Sequence, residues 1–116
     1  MKALSQLKSN NNDIIVLEDG YTALHLCCIH GHLACVKELV DNNYDINVSH
    51  SVSGVTPLHL ACQKGFLDIS KYLLQSKKCD IQKVCKHNNN CLHYAVEANH
   101  KEVTIFLSIF SLITLY

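Results

Sequence analysis

Apolar and polar positions recur along this chain with a period of 34 residues. The stretch TALHLCCIHG (Thr22 to Gly31) returns as TPLHLACQKG (Thr56 to Gly65), and once more, degenerate, as NCLHYAVEAN (Asn90 to Asn99). In each copy a residue that can cap a helix (Thr22, Thr56, Asn90) precedes a short apolar run. Pro57 stands at the first helical position of the second copy, where its missing N–H costs nothing. Small residues at Cys27-Cys28, Ala61-Cys62 and Ala95-Val96 predict close helix–helix approach. The runs stop at Gly31, Gly65 and Asn99, residue types that tolerate the left-handed backbone closing a helix.

A second apolar stripe follows each stop. LACVKELV sets Cys35, Val36, Leu39 and Val40 on one side, and LDISKYLL does the same with Ile69, Tyr72, Leu73 and Leu74. These helical spacings predict a unit of helix, tight turn and antiparallel helix. The connections DNNYDINVSHSVSG and SKKCDIQKVCKHNN are polar and carry no such stripe. A helix pair of this size cannot bury its apolar side alone, so neighbours must stack into a continuous core. The expected fold is an all-α solenoid. A partial or capping repeat is expected over 1–18, with repeats over 19–52 and 53–86. A degenerate repeat over 87–110 and an apolar tail over 111–116 complete the chain.

The run Gly54-Val55-Thr56-Pro57-Leu58-His59-Leu60-Ala61, followed by an apolar helix, together with the D-I-N turn at Asp45 to Asn47, resembles the ankyrin repeat. Gly20 to Leu26 matches with Ala23 for Pro. The third copy departs, with Asn88 for Gly, Asn90 for Thr, Cys91 for Pro and Tyr94 for Leu. The likeness covers about residues 18 to 110. The family's usual period is ~33, so one extra residue is expected near Val48–Ser53 and another near Lys77–Cys79. Tetratricopeptide repeats share the period of 34, but their Trp/Leu/Gly/Tyr pattern is absent.

The resemblance implies protruding, β-hairpin-like connections. It gives the repeat histidine (His25, His59, His93) a structural task, bonding backbone near the neighbouring connection. It also implies that another protein binds at the connection tips and the exposed side of the first helix in each pair. Carried over by position, those residues are Glu18, Asp19, Tyr21, Ile29 and His30 in the first repeat. Val52, Ser53, Val55, Gln63 and Lys64 follow in the second, and Lys86, His87, Asn89, Glu97 and Ala98 in the third. Tyr21 is the preferred anchor, since aromatic side chains carry disproportionate binding energy. The surface reads acidic and aromatic at one end and more basic toward Lys83, Lys86 and His87.

Composition narrows the function classes. Ten Lys balance ten acidic residues and there is no Arg, so the electrostatic footprint of a nucleic-acid binder is absent. Seven Cys is an odd count, and MKALSQLKSNNN has no apolar signal region, which reads as reduced thiols in a cytoplasmic or nuclear protein. The best zinc spacing is Cys79, Cys85, His87, Cys91 and His93, with Cys27, Cys28, His30 and His32 second. Most of these residues also fill structural places in the repeat, so neither a metal nor another cofactor is expected. A Cys–His nucleophile pair would need an orienting group and a pocket, and nothing in the sequence singles one out, so no catalysis is expected.

The expected function is a protein–protein interaction module, an adaptor or scaffold. Its rival is a piece of a larger membrane or catalytic protein whose repeats tether or regulate another domain. The ends leave alternatives open. MKALSQLKS reads as a capping helix or as half a repeat entered midway. VTIFLSIFSLITLY (Val103 to Tyr116) has no charge and is too short for a bilayer, which takes about twenty apolar residues. It reads as an end awaiting another repeat, as a folded-over cap or self-association surface, or as the start of a membrane segment.

Overall fold

The chain folds as helix pairs laid side by side, and its histidines show why. The computed structural model describes residues 19–76 and 78–114. Among them are six helices: α1 (Ala23–His30), α2 (Leu33–Asp41), α3 (Pro57–Lys64), α4 (Leu67–Gln75), α5 (Cys91–Glu97) and α6 (Lys101–Thr114). The inner helices α1, α3 and α5 form one row, and the outer helices α2, α4 and α6 a second.

Each inner helix begins with a reciprocal cap in which histidine takes the place that Glu or Gln usually has. The Thr56 hydroxyl accepts the His59 N–H at 3.2 Å, and His59 Nδ1 accepts the Thr56 N–H at 3.1 Å. His25 repeats this with Thr22, and His93 with Asn90. The far side of the ring then reaches the next unit. His25 Nε2 donates to the Val55 carbonyl and His59 Nε2 to the Lys83 carbonyl, each at 2.8 Å. A carbonyl only accepts, so Nε2 carries the proton and Nδ1 is left bare for the backbone N–H. The ring must therefore be neutral. Both rings are fully buried, and that burial pushes both imidazoles below their ordinary value of 6.5.

Helix stops repeat with the same period. Gly31, Gly65 and Asn99 have φ of 74°, 77° and 64°, and Gly20, Gly54 and Asn88, which precede the caps, have 85°, 75° and 66°. Both degenerate positions of the third repeat thus keep the left-handed backbone with Asn, which accepts it at some cost.

Leu24, Cys28, Val36, Leu39, Leu58, Ala61, Cys62, Ile69, Leu73, Ala95, Val103 and Leu107 make one continuous core. Cys35, Val40 and Tyr72, expected on the buried stripe, are half-buried at its margin. Val96 departs further. Its counterparts Cys28 and Cys62 are fully buried, whereas Val96 is 57% exposed. The outer helices touch through Lys37 over the Tyr72 ring and Lys71 over the Phe106 ring, at 5.6 and 5.5 Å.

The connections close as hairpins. His50 N–H donates to the Val55 carbonyl at 2.8 Å, and Cys85 N–H to the Asn89 carbonyl at 3.0 Å. The first of these spans one residue more than the second. Asp45 and Asp80 open matching turns, each accepting the N–H two residues on at 3.0 Å, yet they lie 35 residues apart rather than 34. One extra residue therefore sits in the first hairpin tip and another before Asp80.

Helix α6 runs unbroken through Ser111 to Thr114, so this part of the apolar tail continues the outer helix. Residues 1–18 and 115–116 lie outside the described residues. No helix among those described is long and apolar enough to cross a membrane.

Two measurements check this account. The lowered histidines make the unfolded chain the better proton binder, so their contribution is complete above pH 6.5 and is lost as pH falls through the folded values. Thermal melts followed by circular dichroism are expected to hold between pH 7.5 and 6.5 and to fall from there to pH 5. His59→Gln is expected to melt lower at pH 7.5 and to decline less with acid. Asn99→Gly, at φ 64°, is expected to raise stability by roughly 0.5 kcal/mol in urea titration.

Candidate functional site

A main-chain hydrogen bond joins the two hairpin tips: Lys86 N–H donates to the Ser53 carbonyl at 2.8 Å. Asn47 couples the roots of the same connections. Its amide donates to the Lys78 carbonyl and its side-chain oxygen accepts the Asp80 N–H, both at 2.7 Å. Lys83 Nζ reaches the Asn47 carbonyl at 2.8 Å. Lys83, read as part of the more basic end, is thus engaged within the fold. That end rests on Lys86 and His87, both exposed.

Tip one is also stapled backward. His50 Nε2 donates to the Asp19 carbonyl at 2.6 Å while Nδ1 accepts the N–H groups of Val52 and Ser53 at 3.2 and 3.1 Å. Tyr21 lies on this staple, its ring 4.5 Å from that of His50 and 5.5 Å from that of His25. One face of the preferred anchor is therefore occupied internally, and Tyr21 is half-buried. Val52 stands out instead, 71% exposed at the tip.

The other residues fall into two bands. Asp19, Val52, Ser53, Val55, Lys86, His87 and Asn89 belong to the tips, where Ser53, Val55 and Asn89 are half-buried and serve the hairpins through their carbonyls. Ile29, Gln63 and Glu97 recur at one position of the inner helices, and His30, Lys64 and Ala98 at the next. His30, Gln63, Lys64 and Glu97 are exposed, and Ile29 and Ala98 half-buried. Glu18 lies outside the described residues. The staples made by Asn47, His50 and His100, whose Nε2 meets the Gln63 carbonyl at 2.9 Å, escaped the sequence reading. The D-I-N turn marked Asn47 and the repeat position shared with His32 marked His100; nothing local marked His50.

The thiols have separate tasks. Cys85 Sγ accepts the His87 N–H at 3.4 Å. Burial alone pushes that thiol up, but the Tyr94 hydroxyl and nearby main-chain groups outweigh it and hold it below its ordinary value. Cys91 lies at the proline position against Cys62, and a hydrogen bond between the two thiols, followed by burial, pushes the Cys62 thiol up. Burial raises Cys79 to about 12, and His93 caps α5. Among the described residues no group of three or more His, Cys, Asp or Glu side chains converges to hold a metal.

This architecture has named relatives. A family model described as "Ankyrin repeats (3 copies)" matches residues 1–85 and 39–111. The chain is 32% identical to alpha-latrotoxin-Lhe1a of Latrodectus hesperus over 89 residues, 77% of this chain and 6% of the toxin. It is 46% identical to human protein phosphatase 1 regulatory subunit 27 over 55 residues, 47% of this chain and 35% of that protein. With the human SMC5-SMC6 complex localization factor protein 1 it shares 41% identity over 56 residues, 48% of this chain and 5% of that protein. The matched stretch is thus a minor part of each relative.

Asn47→Ala removes two of the bonds between the connections and is expected to cost about 1 kcal/mol, these groups being exposed. Amide exchange checks it: the Asp80 N–H should exchange faster while core amides of α3 keep their rates.

Proposed function

The chain belongs to the ankyrin-repeat family, and from that premise we propose that it is a non-catalytic protein-binding module, an adaptor or scaffold of the cytoplasm or nucleus. Its partner is another protein, held along the hairpin tips and the exposed last turns of α1, α3 and α5. One observation carries the reading. The main chain of the two tips is bonded together, while the side chains of Val52, Lys86 and His87 point out with no part in that scaffold beyond their backbone. A strip fixed in shape and free in chemistry loses little conformational entropy on binding.

The strip changes character along its length, from Ile29 and His30 through Gln63 and Lys64 to Glu97 and Ala98. It favours an extended partner of mixed charge with an apolar contact for Val52. Two relatives named as a phosphatase regulatory subunit and a complex localization factor support a protein as that partner.

A second reading rests on the matched share of the relatives, 6% of the toxin and 5% of the localization factor. In it the repeats tether or regulate another domain of a longer polypeptide, using the same strip. The mass of the native protein, read with an antibody to the first hairpin, separates the two.

The test is photocrosslinking in cells of the source organism, with the crosslinker placed at Val52, Lys64 or Lys86 and, as controls, at Lys71 or Gln75 on the outer row. A common protein captured from the first three positions and not from the controls is expected. Val52→Asp with Lys86→Glu should then weaken that protein's binding at least tenfold with an unchanged melting temperature. Equal capture from the outer row would sink the assignment of the surface.

A further inference from the structure

The first hairpin tip is tied down by one ring that solvent reaches. His50 is half-buried, and its imidazole meets main chain on both sides. Nε2 donates to the Asp19 carbonyl at 2.6 Å, while Nδ1 accepts the Val52 and Ser53 N–H groups at 3.2 and 3.1 Å. A carbonyl only accepts and an N–H only donates, so the ring is neutral, protonated on Nε2 and bare on Nδ1. Gly20 makes room for it, since a Cβ there would stand 2.8 Å from Nε2. His25 and His59 obey the same rule, but they are fully buried. Histidine gains its charge between pH 8 and 5. Of these three rings, only that of His50 is open to the solvent that delivers the proton.

We infer that His50 is a proton-sensitive latch, holding the first tip in one shape when neutral and releasing Val52 and Ser53 when charged. A proton on Nδ1 turns the acceptor that faces two N–H groups into a third donor. The ring itself stays in place. Its bond to the Asp19 carbonyl survives protonation and strengthens with charge. The Tyr21 ring, 4.5 Å away, also favours a cation beside it. What yields is therefore the tip.

The surrounding groups leave that conflict unrelieved. Asp19 and Tyr21 come from the segment before α1. From α1 comes His25, whose ring is kept neutral by its own bonds to Thr22 and Val55. Cys85 and Lys86 come from the second hairpin, their backbone against Gly54, and the Lys86 side chain is exposed. Among the described residues, only the Val52 and Ser53 N–H groups meet Nδ1. Ser53 is held through its N–H by His50 and through its carbonyl by the Lys86 N–H. Release thus reaches the bond between the tips. If the strip proposed above is the binding surface, on which this consequence rests, mild acid unfastens its apolar contact at Val52 and weakens capture of the partner.

Nuclear magnetic resonance on the full chain, with no partner added, tests the latch apart from that reading. At pH 7.5 the ring nitrogens of His50 are expected to show the proton on Nε2. As the ring titrates toward pH 5.5, the Val52 and Ser53 amides should lose protection against hydrogen exchange by about tenfold, the weight of one ordinary hydrogen bond. Core amides of α3 should change far less. His50→Asn puts an oxygen that takes no proton where Nδ1 stands, so the two tip amides should be equally protected at both pH values. His50→Ala should show the low protection already at pH 7.5. A proton on Nδ1 at pH 7.5, tip protection that ignores the ring's titration, or a fall shared equally by the core amides would each overturn the inference. So would an Asn variant as acid-sensitive as the wild type, or an Ala variant with full protection.

Discussion

Everything in this fold hangs on a buried imidazole that must stay neutral. His25 and His59 each close the N-terminus of their own helix with one nitrogen and hold the next connection with the other. Local and non-local order are thereby joined in one ring. The cap fixes where the helix starts, and the Nε2 bond fixes how far the neighbour lies from it. Small residues such as Cys28, Ala61 and Cys62 then allow the close approach that this distance demands. The core contributes most of the stabilising free energy through burial, but the imidazole sets the register in which that burial happens.

The helices, their stops and the stacking were legible because each rests on a local rule repeated three times. Asn99 and Asn88 could be read as stand-ins for glycine because few residues accept positive φ. The one-residue excess in each connection was legible from arithmetic alone. What escaped was anything that depends on a neighbour across the stack. His50 has no periodic counterpart, His100 repeats His32 two periods on without showing which carbonyl it meets, and Asn47 sits in a motif whose partner groups lie more than thirty residues away. Lys83 read as a surface charge because nothing nearby in sequence shows that its ammonium has a carbonyl to reach. Tyr21 read as a free aromatic for the same reason, since the ring it stacks on comes from the next hairpin.

The proposed binding strip inherits its stiffness from those cross-stack bonds. Val52, Lys86 and His87 ride on main chain held by the Ser53–Lys86 bond and by Asn47. Side chains there are free to change without touching the scaffold, which is the arrangement a general-purpose binding surface needs. The thiols show the opposite economy. Cys62 and Cys91 are buried between units, where size matters and reactivity does not.

The third histidine lacks what the first two have. His93 caps α5 like the others, but it is exposed, and no carbonyl among the described residues meets its Nε2. Among the described residues α3–α4 is thus tied by two imidazole bonds and α5–α6 by one, so less holds α5–α6 than α3–α4 against local opening.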